Sequence, residues 1–227
     1  MKKLLRIMPL IPLLWMGSST LVHAIEDVTA TKHNLSSSQP DKVNNISTEA
    51  TADVCVFCHS PHTEAGGAAP LWNRGVTAGG YTPYTSPTMD MTIGAPAGIS
   101  MACLTCHDGS VGFDQLINGA GSGNYVAAGA DQGWTFNLNS VAIGDTMPGA
   151  SISNLGLVLT GDHPISVTYD PTLDNAFNPA VDVNAVLQLY GAGADQVECA
   201  SCHNPHEATN PTFLRITADL CITCHIK

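Results

Sequence analysis

Eight cysteines fall into four Cys-x-x-Cys pairs, and each pair is followed at once by a histidine: Cys55-Val56-Phe57-Cys58-His59, Cys103-Leu104-Thr105-Cys106-His107, Cys199-Ala200-Ser201-Cys202-His203 and Cys221-Ile222-Thr223-Cys224-His225. A Cys-x-x-Cys pair alone could be half a zinc site, a redox disulfide or a structural bridge. The fifth residue decides between them, because histidine fills only 9 of 227 positions and four independent pairs would not all meet one by chance. Two thiols at this spacing can each form a thioether to a vinyl-derived carbon of a porphyrin, and the adjacent imidazole is then held against the iron as its proximal ligand. The expectation is four covalently bound haem c groups, with His59, His107, His203 and His225 as proximal ligands. No cysteine is left over for a bridge or a reactive thiol.

Each iron has a second axial position, and four histidines remain beyond the first 24 residues: His33, His62, His163 and His206. These are the expected distal ligands. His62 and His206 share an offset, three residues after a proximal histidine in His-x-Pro-His. A link that short, stiffened by proline, is poorly suited to rounding the porphyrin edge, so each should serve a haem other than its neighbour's. Met89, Met91, Met101 and Met147 are the competing ligands, but nothing in their context favours them. Arg74 and Arg215 are expected to face haem propionates, since guanidinium suits bidentate carboxylate recognition; the alternative is a solvated surface role.

The surrounding chain must position these groups. Residues 1–24 have a basic start (Lys2, Lys3, Arg6), an apolar run and Val22-His23-Ala24, the pattern of a secretory signal peptide. No later stretch approaches the length of a membrane span. Cleavage would leave five basic residues against nineteen acids, a net of −14 that disfavours nucleic acid as a partner. Residues 25–227 read as one domain. Only 6% of the chain is aromatic and Gly plus Pro number 35, so flat porphyrins are expected to replace much of an ordinary core, with Trp72, Tyr81 and Tyr84 against their faces.

The expected fold class is a multihaem cytochrome c, mostly coil, with short helices at the haem sites and at most a small antiparallel strand pair. Residues 25–52 read as an extended polar arm and 119–133 as an irregular surface loop. Residues 155–159 and 165–169 have strand-like composition and are candidates to pair.

Thr31-Lys32-His33-Asn34-Leu35-Ser36, the two Cys-x-x-Cys-His-x-Pro-His runs at 55–62 and 199–206, Pro70-Leu71-Trp72-Asn73, Cys103 to Gly109 and Asp162-His163-Pro164 together resemble the exported bacterial multihaem cytochromes with doubled haem motifs, in particular their tetrahaem, filament-forming branch. The resemblance implies bis-histidine haems in a continuous stack, extracellular electron transfer rather than catalysis, and head-to-tail homopolymers. In these, His62 would be donated in trans to a haem of the neighbouring subunit. The alternatives are a soluble periplasmic tetrahaem electron shuttle and a multihaem oxidoreductase with one open iron. The wider partners in every case are redox proteins or acceptors that give and take electrons.

Overall fold

The computed structural model describes residues 27–61, 69–76, 79–121 and 125–226. The expected signal peptide and His62 lie outside them. Most of the described chain is turn and irregular backbone. Four short helices stand out: α1 (Gly98–His107), α2 (Ala180–Asn184), α3 (Cys199–Cys202) and α4 (Leu220–Cys224). Three of them end in a haem-attachment sequence, as expected, whereas the first attachment sequence is a turn with His59 N–H donating to Cys55 O at 2.8 Å. Among the described residues, no helix is long and apolar enough to cross a membrane.

Strands are more numerous than the single pair expected. β1 (Ser47–Thr48), β4 (Phe136–Leu138) and β5 (Val141–Ile143) form an antiparallel three-stranded sheet; β2 (Gln115–Asn118) pairs with β3 (Tyr125–Asp131), and β6 (Val167–Thr168) with β7 (Gln196–Val197). The β4–β5 turn is the two-residue Asn139-Ser140, with φ of 51° and 60°. Two positive φ values give the primed turn that matches strand twist, although no glycine announces it.

Three expectations about segments are corrected. Within 119–133, residues 125–131 are a strand, because β2 lends its hydrogen bonds to a Gly/Ala-rich stretch with little side-chain pattern of its own. Residues 155–159 and 165–169 do not pair with each other: Val158 bridges Thr82, and Val167 pairs with Val197. The polar arm is folded in rather than extended. Gln39 donates to the carbonyls of Thr31 (3.0 Å) and Asn34 (2.6 Å), Asn34 donates to Thr29 O (2.9 Å), and Asn34, Ser36 and Gln39 are all buried. Before β1, short amides and hydroxyls satisfy much of a backbone that forms no ladder.

The apolar core is divided. One cluster joins Met91, Val167, Tyr169 and Val183; a second joins Val56, Phe57, Phe113, Leu116 and Phe136; a small third holds Ala69, Trp72 and Ala102. The second lies under the first attachment loop, since Phe57 belongs to that loop and its ring meets Trp134 and Phe136 edge-on. Asn73 pins the same loop to β2. It is fully buried, its Nδ2 donates to Val56 O (2.7 Å) and Asn118 O (2.9 Å), and its Oδ1 accepts from Asn118 N–H at 2.8 Å. Asn73→Ala would leave buried amide groups without partners and should cost about 2–4 kcal/mol, read as a fall in Tm of the haem-loaded protein with all haems still attached.

Candidate functional site

After three of the four Cys-x-x-Cys turns the chain straightens and pairs briefly with a second segment. At the first site Asn73 N–H donates to Cys58 O (2.9 Å) and Ser60 N–H to Leu71 O (2.8 Å). At the third, Arg215 N–H donates to Cys202 O (2.8 Å) and Asn204 N–H to Phe213 O (2.7 Å). At the fourth, Asn178 N–H donates to Cys224 O (2.8 Å) and Ile226 N–H to Ala176 O (2.7 Å). His59, His203 and His225, the residues that follow these pairs, therefore each sit in one antiparallel bridge, opposite Trp72, Leu214 and Phe177. At the second site Leu155 N–H donates to His107 O at 2.6 Å.

These bridges set the imidazoles. His59 Nδ1 donates to Pro70 O, His107 Nδ1 to Ser153 O and His203 Nδ1 to Thr212 O, each at 2.8 Å. His163 Nδ1 donates to Pro164 O at 2.9 Å, and His33 Nδ1 reaches Pro205 O at 3.3 Å. A carbonyl can only accept, so Nδ1 carries the proton and Nε2 of the neutral ring keeps its lone pair. Such an arrangement orients and strengthens a metal-bound imidazole. Neutrality is reinforced at His33, whose pKa is driven down to about 4, first by desolvation and then by the neighbouring His107. His206, although exposed, is also shifted down, by desolvation and then by His59.

The rings come in facing pairs. His59 and His206 have centroids 6.2 Å apart, His33 and His107 6.1 Å, and His163 and His225 6.5 Å. Two imidazoles bound through Nε2 on opposite sides of one metal, with bonds of about 2 Å and about 1 Å more from nitrogen to ring centre, stand about 6 Å apart. The spacing of each pair is the one that an iron porphyrin held between the two rings would need. Among the described residues His203 has no such partner ring.

Thiols of successive sites influence one another. All eight are free. Cys58 is pushed up to about 12 by burial and then by the nearby Cys106, which links the first site to the second. Cys103 and Cys199 are in side-chain hydrogen-bonding contact, which raises the former and lowers the latter and links the second site to the third. Desolvation raises Cys202, with Cys199 and Cys221 adding to it, which links the third site to the fourth. Buried Glu198 braces the middle contact by accepting from the hydroxyls of Ser100 in α1 and Ser166, while Cys199 N–H donates to Ser100 Oγ at 2.9 Å.

The two arginines are occupied in the protein. Arg74 is fully buried, with Nη1 donating to Phe113 O (2.7 Å) and Nη2 to Gly112 O (2.5 Å); its Nε has no protein acceptor. Arg215 donates from Nε to Ala200 O at 2.7 Å and from Nη2 to Tyr190 Oη at 3.2 Å. Of the methionines, Met91 is core, and Met147 sulfur accepts from Ser153 Oγ at 3.4 Å. Sequence reasoning missed the backbone carbonyls that hold Nδ1. It also missed the clamp on α4, where Asn178 Nδ2 donates to Ile222 O (2.9 Å) and Tyr169 Oη to Cys224 O (3.2 Å). A carbonyl has no residue signature, so no signal could have revealed the first.

Residues 192–227, which contain the third and fourth attachment sequences, match the family model described as the doubled CXXCH motif. The matched stretch carries two Cys-x-x-Cys-His sequences, the pattern that indicates covalently bound c-type haem. No curated protein matches the chain.

Gly109 closes α1 behind His107 with φ of +73°, and a Cβ there would stand 2.5 Å from Asn154 Nδ2, next to the Ser153 carbonyl that holds His107. Gly109→Ala combines left-handed strain of about 1–2 kcal/mol with displacement of that support. The expected result is a lower Tm together with an altered EPR signal from a single haem.

Proposed function

We propose that this protein carries electrons through four covalently attached, bis-histidine haems, as a subunit of an extracellular cytochrome filament. The imidazole pairs carry this reading, since three centroid distances near 6 Å, with Nδ1 of His33, His59, His107 and His163 facing carbonyls, suit axial ligation. Bound haem supplies reversible one-electron chemistry. The protein's part is to hold the rings, keep Nε2 unprotonated and bring the attachment sites into one series. On this reading His206 serves the first haem, His33 the second and His163 the fourth. Imidazole at every axial position leaves no iron for substrate, which supports a carrier over an enzyme.

The third haem, on His203, is left for His62. In the filament it comes from the next copy, a heterologous contact that propagates unless it closes into a ring. A second reading has one specific support: His206 leaves the third site to reach the first haem, so His62 of the same chain could reciprocate and complete a soluble tetrahaem shuttle. Electron microscopy and native mass measurement of His62→Ala separate the two. The filament requires monomers that keep four haems with one high-spin iron; wild-type-length filaments from this variant, or wild-type protein that remains a monomer with four low-spin haems, would remove it.

The ring planes make a second expectation. His59 and His206 are 22° from parallel, whereas the other two pairs cross at 85° and 76°. Parallel rings split the iron orbitals that they overlap and crossed rings leave them nearly degenerate, so EPR should show at least one rhombic low-spin signal beside at least two with a large maximal g value. His163→Met replaces imidazole by thioether and should raise the potential of one haem while leaving the others nearly unchanged. A redox titration identical to wild type would show that His163 is not a ligand.

A further inference from the structure

Away from the haem-attachment series, three carboxylates converge where β2, β3 and β5 meet. Asp114 precedes β2, Asp131 ends β3 and Asp145 follows β5, and their oxygens lie within 4.8 Å of one another. Asp114 is fully buried. Its Oδ2 accepts from Trp134 N–H at 2.8 Å, but its Oδ1 has no hydrogen-bond partner. That oxygen points into the cluster: a Cβ built on Gly112 would lie 3.3 Å from it and 2.6 Å from Asp145 Oδ2. Asp131 is tethered in the same manner as Asp114, its Oδ1 accepting from Gly133 N–H at 2.7 Å.

Among the described residues no basic side chain forms an ion pair with this trio. Among the described residues the one ion pair is Lys42 with Glu49, and Arg74, the nearest guanidinium, gives Nη1 and Nη2 to the carbonyls of Phe113 and Gly112. Burial raises the Asp114 carboxyl; the Trp134 N–H opposes this, while the charge on Asp131 and the close carboxyl–carboxyl approach of the two residues add to it. An orphaned buried oxygen facing two further carboxylates, with no nitrogen or sulfur donor among them, is the donor set of a hard cation.

We propose that Asp114, Asp131 and Asp145 bind a calcium ion. Backbone N–H groups hold one oxygen each of Asp114 and Asp131, which leaves the others aimed inward. Asp131 is exposed and Asp145 half-buried, so the ion and the waters that complete its shell have a path in. With only three protein carboxylates, the affinity belongs to the weak range of extracellular calcium modules, a Kd of about 10⁻⁴–10⁻³ M. The ion would act on the first haem site, because Trp134 follows the cluster directly and its ring lies 5.9 Å from that of Phe57 within the first attachment loop.

The test uses the full haem-loaded protein, stripped with EGTA and re-equilibrated with calcium alone, beside Asp131→Asn and Asp145→Asn, whose exposed or half-buried positions make misfolding a small risk. Wild type should bind about one calcium per chain at this site and gain several degrees in Tm at ~1 mM calcium, with affinity about tenfold or more lower in each variant. In EGTA both variants should unfold at or above the wild-type temperature, since each removes a repelling carboxylate. Haem propionates also bind cations, so the variants decide: either one keeping the full calcium-dependent shift overturns the site. A wild-type Tm indifferent to calcium, or variants less stable than wild type in EGTA, overturns it equally and assigns the trio to a shared proton or to structural hydrogen bonding. Should one variant fail to accumulate, the other, read beside the wild-type calcium titration, decides in the same way.

Discussion

Imidazole has two ring nitrogens, and a histidine can be a defined iron ligand only if something else holds the proton on the other one. In this chain that holder is a backbone carbonyl. Pro70, Ser153 and Thr212 accept from His59, His107 and His203 at 2.8 Å. Three of the four carboxyl-side strands after Cys-x-x-Cys-His are pinned by the same two backbone bonds, so orientation of the ring and path of the chain are one constraint. Much of the remaining architecture can be irregular because these local bridges, rather than large sheets, set the coordinates that matter.

The divided core follows from the same circumstance. A chain of this size with few aromatics does not close over a single apolar centre, and its buried side chains form three separate groups. Each lies beside attachment residues: Cys224 packs on the first group, Cys58 and Cys106 on the second, and Cys58 again on the third. Large flat apolar cofactors bound at those cysteines would complete the groups. Polar anchors such as Asn73, Glu198 and Asn178 then supply the specificity that a continuous core would otherwise give, because a buried amide or carboxylate tolerates only one arrangement of its partners.

Charge sets a second condition. Nineteen acids face eight basic residues in the whole chain, and Arg74 and Arg215 both direct guanidinium N–H groups at protein oxygens. Carboxylates that converge must be spread apart, protonated or neutralised by cations. The Asp114 trio is drawn together because two backbone N–H groups of one turn, Gly133 and Trp134, hold an oxygen of Asp131 and of Asp114 respectively.

The Cys-x-x-Cys-His pattern that indicates c-type haem was legible in the residues alone, since thioether attachment needs those residues in consecutive positions and local spacing is what a sequence records. The short helices at three of the Cys-x-x-Cys-His sequences were legible for the same reason. Which imidazole faces which was not: His33 meets His107 from 74 positions away and His206 meets His59 across most of the chain. Those encounters depend on long-range packing of α1 against α3 and on bridges whose acceptors are main-chain carbonyls with no residue signature. The β3 strand and the Asn139-Ser140 turn were hidden for a related reason, because weak local preference was overridden by hydrogen bonds offered from elsewhere. Sequence determined the reactive groups; only the tertiary structure decided their pairing, since pairing is a property of distance and distance here is set by contacts far apart along the chain.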